Sequence, residues 1–159
     1  MEKKGNVRAF IAAVILPLTV GGLSAWLTGD GIKMYALMIK PPLSPPGWLF
    51  PVVWTVLYIL MGLASFRVYC SCASAYRKKR ALGLYIIQLA VNFFWPLIFF
   101  GAGAYFAAFL WLALLCLLVF LCAVLFYHVD KTAGRLLYPY LFWCIFALYL
   151  NFGVYLLNK

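Results

Sequence analysis

The stretch KPPLSPPGWLFPVVWTVLYILMG, residues 40–62, sets four prolines in seven residues directly before an almost uncharged apolar run. Trp48, Trp54 and Tyr58 then follow within three helical turns. Prolines fix φ and push the residues before them toward extended geometry, so the first part reads as a stiff connection. The second part has the length and composition of a membrane-crossing helix. A stiffened segment loses little entropy when held in place, so the pair predicts a lid over an aromatic-lined pocket.

The rest of the chain fits this reading. Of its 159 residues 68% are hydrophobic and 10% charged, against about 45–50% and 25% in a soluble domain. That much apolar surface calls for lipid as the solvent. Five runs reach the roughly 20 residues that span a hydrocarbon layer: about 7–28, 48–69, 81–100, 105–127 and 136–157. Their apolar character is continuous rather than alternating, which favours helices over a closed barrel. The expected fold is all-α, with residues 1–159 forming one five-helix transmembrane domain. The first run is long and lacks a small-x-small cleavage site, so it is read as retained rather than as a signal peptide.

Residues 28–47 form the only sizeable connection, and MYALMI within it suggests a short interfacial helix. Ten of the 13 Lys and Arg residues fall on one side of the five spans: Lys3, Lys4, Arg8, Arg67, Arg77, Lys78, Lys79, Arg80, Lys131 and Arg135. Lys33, Lys40 and Lys159 fall on the other. The positive-inside rule then predicts a cytoplasmic N-terminus and an outward-facing lid. The net charge of +10 suits anionic headgroups and topology, not nucleic acid.

The span interiors carry no ionisable residue of the kind that marks proton relays and charged filters. No Ser/His/Asp set, paired carboxylate or phosphate-binding glycine loop is present. Five cysteines and the single His128 lack metal-site spacing, so no metal and no obligatory cofactor are expected. What remains is aromatic and amide chemistry. Gln88, Asn92, Trp95 and Phe99 are spaced four, three and four apart and share a helix face. The two amides serve as glue between helices, as ligand contacts, or as both. Phe50, Trp54, Tyr58 and Met61 share a second face, and Tyr140, Trp143, Ala147 and Leu150 a third, with Asn151 beside them. Trp26 and Trp48 suit an interfacial belt, whereas Trp54 and Trp143 lie deeper. On spacing alone, an inward pocket and ordinary packing both stand. Gly83 and Ala90, one heptad apart, mark a candidate dimer seam.

Taken together, KPPLSPPGWLF with VWTVLYILMG, then QLAVNFFWPLIFFG, then RLLYPYLFWCIFALYLN resemble the translocator protein family. That family is also called the tryptophan-rich sensory protein or peripheral-type benzodiazepine receptor family. The resemblance runs from about residue 15 to residue 158. It implies five transmembrane helices, commonly a homodimer, and a pocket beneath the first loop for porphyrins and isoquinoline or benzodiazepine ligands. By position, it implies pocket residues Leu49, Phe50, Val53, Trp54, Asn92, Trp95, Leu114, Trp143, Ala147 and Leu150, to which the helical faces add Tyr58 and Phe99. Lys33 and Lys40 lie on the lid side, where porphyrin propionates need cations. The chain departs from the family pattern at Leu43, where a tryptophan is usual, and at Pro51-Val52. It departs from animal members at Trp111 and Ala107, and at Phe152 and Leu156 of their sterol motif. At most weak sterol binding is expected, and a bacterial cell membrane suits the chain better than an animal one. Porphyrin binding and sensing is the first expectation. Light- and oxygen-dependent porphyrin breakdown, with Trp54 and Trp143 as the reactive indoles and no acid–base catalyst, is the second. Passive transport of porphyrin or lipid is the third.

Overall fold

A computed structural model describes the backbone of residues 2–159 and the side chains of residues 7–159. Lys3 and Lys4, used above for orientation, have their side chains outside the described residues. The elements are α1 (Glu2–Thr28), α2 (Gly31–Leu37), α3 (Leu49–Cys70), α4 (Ala75–Pro96), α5 (Tyr105–Val129), α6 (Lys131–Leu136) and α7 (Tyr138–Leu157). No strand occurs among the described residues. Five helices are long and apolar enough to cross a membrane, as expected.

The boundaries differ from the hydropathy spans where polar helix continues beyond the apolar part. The third span was expected to start at 81, but α4 begins at Ala75. Its first turns carry Arg77, Lys78, Lys79 and Arg80, and the Ser74 side chain accepts from the Arg77 amide. Charged side chains favour water, not coil, so hydropathy marks the lipid edge and misses the helix end. Residues 128–135 were expected as a loop. Instead Asp130 caps α6, its Oδ1 accepting from the Ala133 amide at 2.8 Å.

The helices pack in a ring: α1 against α3 and α4, α4 against α5, and α5 against α7. Between α7 and α3 the ring closes through aromatic side chains. Phe50 meets Trp143 at 5.9 Å and Trp54 meets Tyr140 at 6.0 Å between ring centroids. At the basic end, Arg67 joins α3 to the α5–α6 corner through a two-point contact with Asp130, 2.9 and 3.1 Å. At the opposite end, α4 changes its winding. Pro96 has no amide hydrogen and crowds the preceding turn. Leu97–Gly101 follow as a π turn, with the Ala102 amide reaching the Leu97 carbonyl at 2.9 Å.

Candidate functional site

Beneath the 29–48 segment the helices enclose a cavity of about 380 Å³, within the usual range of small-molecule sites. Eight of the twelve residues expected at the pocket line it: Phe50, Trp54, Tyr58, Asn92, Trp95, Phe99, Ala147 and Leu150. The other four do not. Leu114 lies on the outer face of α5, 42% exposed, and the cavity is lined by Leu115 instead. One residue turns a helix by roughly 100°, enough to carry a side chain from the interior to the lipid face. Val53 packs against the buried core and Leu49 stands half-buried at the start of α3. Trp143 forms a second layer, its ring against Phe50 and Phe146. Its indole N–H is buried without a partner.

Sequence reasoning missed the contribution of α1. Leu18, Gly21, Gly22, Ser24, Ala25 and Thr28 form one wall. The signal was four small residues within five positions of α1, Gly21-Gly22 and Ser24-Ala25. Ser24 is buried and donates to the Phe93 carbonyl at 2.7 Å, fixing this wall to α4.

The two amides of α4 are engaged between helices. Tyr58 Oη donates to Asn92 Oδ1 at 2.8 Å, and Asn92 Nδ2 donates to Tyr140 Oη at 2.8 Å. Tyr140 in turn donates to Gln88 Oε1 at 2.9 Å. This chain ties α3, α4 and α7 together with its polar atoms saturated, as a water-poor interior requires. Gln88 is glue alone, while Asn92 is glue and also cavity wall. Nearer the lid, Trp95 Nε1 donates to Asn151 Oδ1 at 3.1 Å, and Asn151 Nδ2 donates to the Tyr105 carbonyl at 2.9 Å. The bond fixes the Trp95 indole, which stacks on Phe99 at 5.2 Å and 26°. The π turn carries Phe99 and its neighbour Phe100 onto the cavity wall.

The lid is fastened to the end of α7. Tyr149 Oη donates to the Pro42 carbonyl at 3.0 Å, and the Asn158 amide brackets the Ile39 backbone at 3.0 and 2.8 Å. Tyr35, on α2, is buried and donates to the Pro45 carbonyl at 3.1 Å, and burial pushes its phenol pKa up. Lys40 and Lys33, the expected propionate partners, do not line the cavity. Lys40 Nζ donates to the Tyr35 and Ala36 carbonyls at 3.3 and 3.2 Å and so serves the lid itself. Lys33 pairs with Asp30 at 2.8 Å on the surface, and that carboxylate raises its pKa. Leu43 has φ +66° and is 82% exposed, pointing away from the cavity. The exposed parts of the cavity wall are Gly22 and Ala25 of α1, Pro51 and Thr55 of α3, and Gly29 and Ile32 above them. The opening therefore runs down the seam between α1 and α3.

The family model described as "TspO/MBR family" matches residues 13–157. This chain belongs to the TspO/MBR family. It is 34% identical to a tryptophan-rich protein TspO of Archaeoglobus fulgidus over 96% of this chain and 99% of that one. It is 40% identical to the human translocator protein over 83% of this chain and 79% of that protein. It is 38% identical to the tryptophan-rich sensory protein of Cereibacter sphaeroides over 94% and 89% respectively. With its five long apolar helices, the chain is an integral membrane protein, and its family places it among membrane sensors and receptors.

Proposed function

We propose that this TspO/MBR member binds flat, hydrophobic ligands of the tetrapyrrole class in the cavity beneath the lid, as a receptor or sensor. The observation that carries this reading is the convergence of Phe50, Trp54, Tyr58, Trp95 and Phe99 on one hollow of about 380 Å³ with few polar groups. Stacked and edge-on contacts of these rings suit the faces of a porphyrin. A macrocycle larger than the hollow extends through the α1–α3 seam, which also suits entry from the bilayer. At the lid end, Lys33 is the cation for a propionate, because its exposed pair with Asp30 exchanges at little cost. Drug-like aromatic amides suit the same walls, and sterol binding stays weak.

The same reading places the basic end on the cytoplasmic side of a bacterial membrane. It also takes the chain as a homodimer whose seam is the open α4 face at Gly83 and Ala90, which cysteine crosslinking at 83 and 90 tests. The ligand reading is tested by titrating metal-free protoporphyrin and following tryptophan fluorescence. Joint replacement Trp54→Ala and Trp95→Ala is expected to weaken binding about tenfold or more, from two stacking contacts of about 0.5–1.5 kcal/mol each plus lost area. Affinity equal to that of the parent chain rejects the cavity as the site.

A further inference from the structure

A second groove lies at the basic end, between the last turns of α5 and the first turns of α7, with a volume of about 390 Å³. It shares no lining residue with the central cavity. Its walls include the rings of Phe120, Tyr127, Tyr138 and Phe142, and the imidazole of His128. Phe120, Tyr138 and Phe142 are exposed, so these rings present open faces.

His128 Nδ1 lies 2.7 Å from the Val124 carbonyl. A carbonyl oxygen only accepts, so Nδ1 carries the proton. In the neutral ring Nε2 then holds the lone pair. That is the arrangement found in histidines that ligate metals, where one nitrogen is oriented by a backbone carbonyl and the other binds. A bare metal ion would need three or four protein ligands. Among the described residues no three His, Cys, Asp or Glu side chains cluster. A metal already held by a porphyrin brings four nitrogens with it and needs only an axial ligand. One histidine therefore suffices for that ligand class and for no free ion. The aromatic walls supply faces for a flat ring. Lys131 and Arg135 are exposed on α6 at the same end of the bundle but do not line the groove, so carboxylates on a bound ring stay in water. Arg67 and Asp130 are already paired with each other.

We propose that this groove is a peripheral site for a metalloporphyrin, ligated through His128 Nε2 at the basic end of the bundle. It uses no residue of the central cavity, so either site can fail without the other. The probes are ferric iron protoporphyrin and its metal-free form, titrated into the full chain in detergent, with empty micelles as baseline. The parent chain is expected to shift the iron porphyrin absorption to that of a nitrogen-ligated haem. His128→Ala is expected to abolish the shift and to weaken iron porphyrin binding about tenfold or more. Added imidazole restores the shift in that variant, and metal-free porphyrin binds it as it binds the parent. Trp54→Ala is expected to leave the shift in place. An iron porphyrin spectrum and affinity indifferent to His128→Ala overturn the proposal. So does loss of the shift in Trp54→Ala with His128 intact.

Discussion

The two halves of the bundle pack by different rules. Toward the basic end, small residues let helices touch: Gly62, Ala64, Ala81, Ala123 and Ala133 are fully or almost fully buried beside Met61, Val68 and Phe126. Toward the lid, the same helices are held apart by Phe50, Trp54, Trp95 and Phe99, and the space between them is the cavity. Along the α1–α3 seam the change takes place within one interface. A Cβ on Gly62 would stand 2.6 Å from Val14 Cα and 2.8 Å from the Ala13 carbonyl, whereas a Cβ on Gly22 would meet nothing within 4 Å. Contact at one end of the seam and an opening at the other follow from where side chains are missing and where they are large. The hollow is thus a product of the packing, since the solid half supplies the rigidity that keeps the other half open.

Four measurements break or sharpen this contrast. Gly62→Leu forces a side chain into α1 backbone and is expected to cost about 3 kcal/mol, seen as a large fall in thermal unfolding temperature in detergent. A variant as stable as the parent would mean that the seam is loose at both ends. Tyr140→Phe removes the hydroxyl between Asn92 and Gln88 and leaves two buried polar atoms short of a partner. The expected loss is about 2 kcal/mol, and a joint Tyr140→Phe, Gln88→Leu chain should recover part of it. Gly22→Leu sits on the open part of the same seam. It is expected to leave the unfolding temperature near that of the parent while weakening porphyrin binding about tenfold, or about 1.4 kcal/mol. Stability falling with affinity held would invert the picture.

The smallest effect belongs to Asp130. The Arg67 guanidinium beside it holds its carboxyl below the usual carboxylate range. Its folded pKa lies below its unfolded value, so its contribution is complete above the ordinary carboxylate pKa. That contribution is lost as pH falls through the lowered one. The pair is partly exposed, so the loss is expected to be about 0.5 kcal/mol or less. Arg67→Met should shrink it to the part held by the Ala133 amide when stability is followed between about pH 5 and 2.

Much of this was legible in the sequence because lipid leaves the chain few choices. Continuous apolar runs gave five helices, and steps of three and four put Trp54 with Tyr58 on one helix face and Asn92, Trp95 and Phe99 on another, while spacing alone left pocket and packing both open. What stayed hidden has physical causes. The α1 wall is made largely of residues with little or no side chain, Gly21, Gly22, Ser24 and Ala25, and hydropathy registers such absences weakly. Helical polar segments, such as Ala75–Arg80 and α6, look like loops to a scale that measures only transfer into hydrocarbon. Leu114 and Leu115 are chemically identical neighbours, so composition cannot tell which of them points inward. Lys40 carries the charge expected of a ligand partner, yet the Tyr35 and Ala36 carbonyls of the preceding α2 lie within reach of its ammonium. Only the folded arrangement decides which claim prevails.

The irregular winding after Pro96 has one more consequence. A residue added or removed within a turn rotates everything beyond it by roughly 100° about the axis, and π turns recur where helices build functional surfaces. Gln88 and Asn92 answer to the alignment of the bundle, while Phe99 and Phe100 answer to the altered stretch beyond it. Sequence drift at residues 97–101 can therefore reshape what the receptor admits without disturbing how its helices assemble, and a one-residue deletion there would swing both phenyl groups away while leaving the scaffold in register.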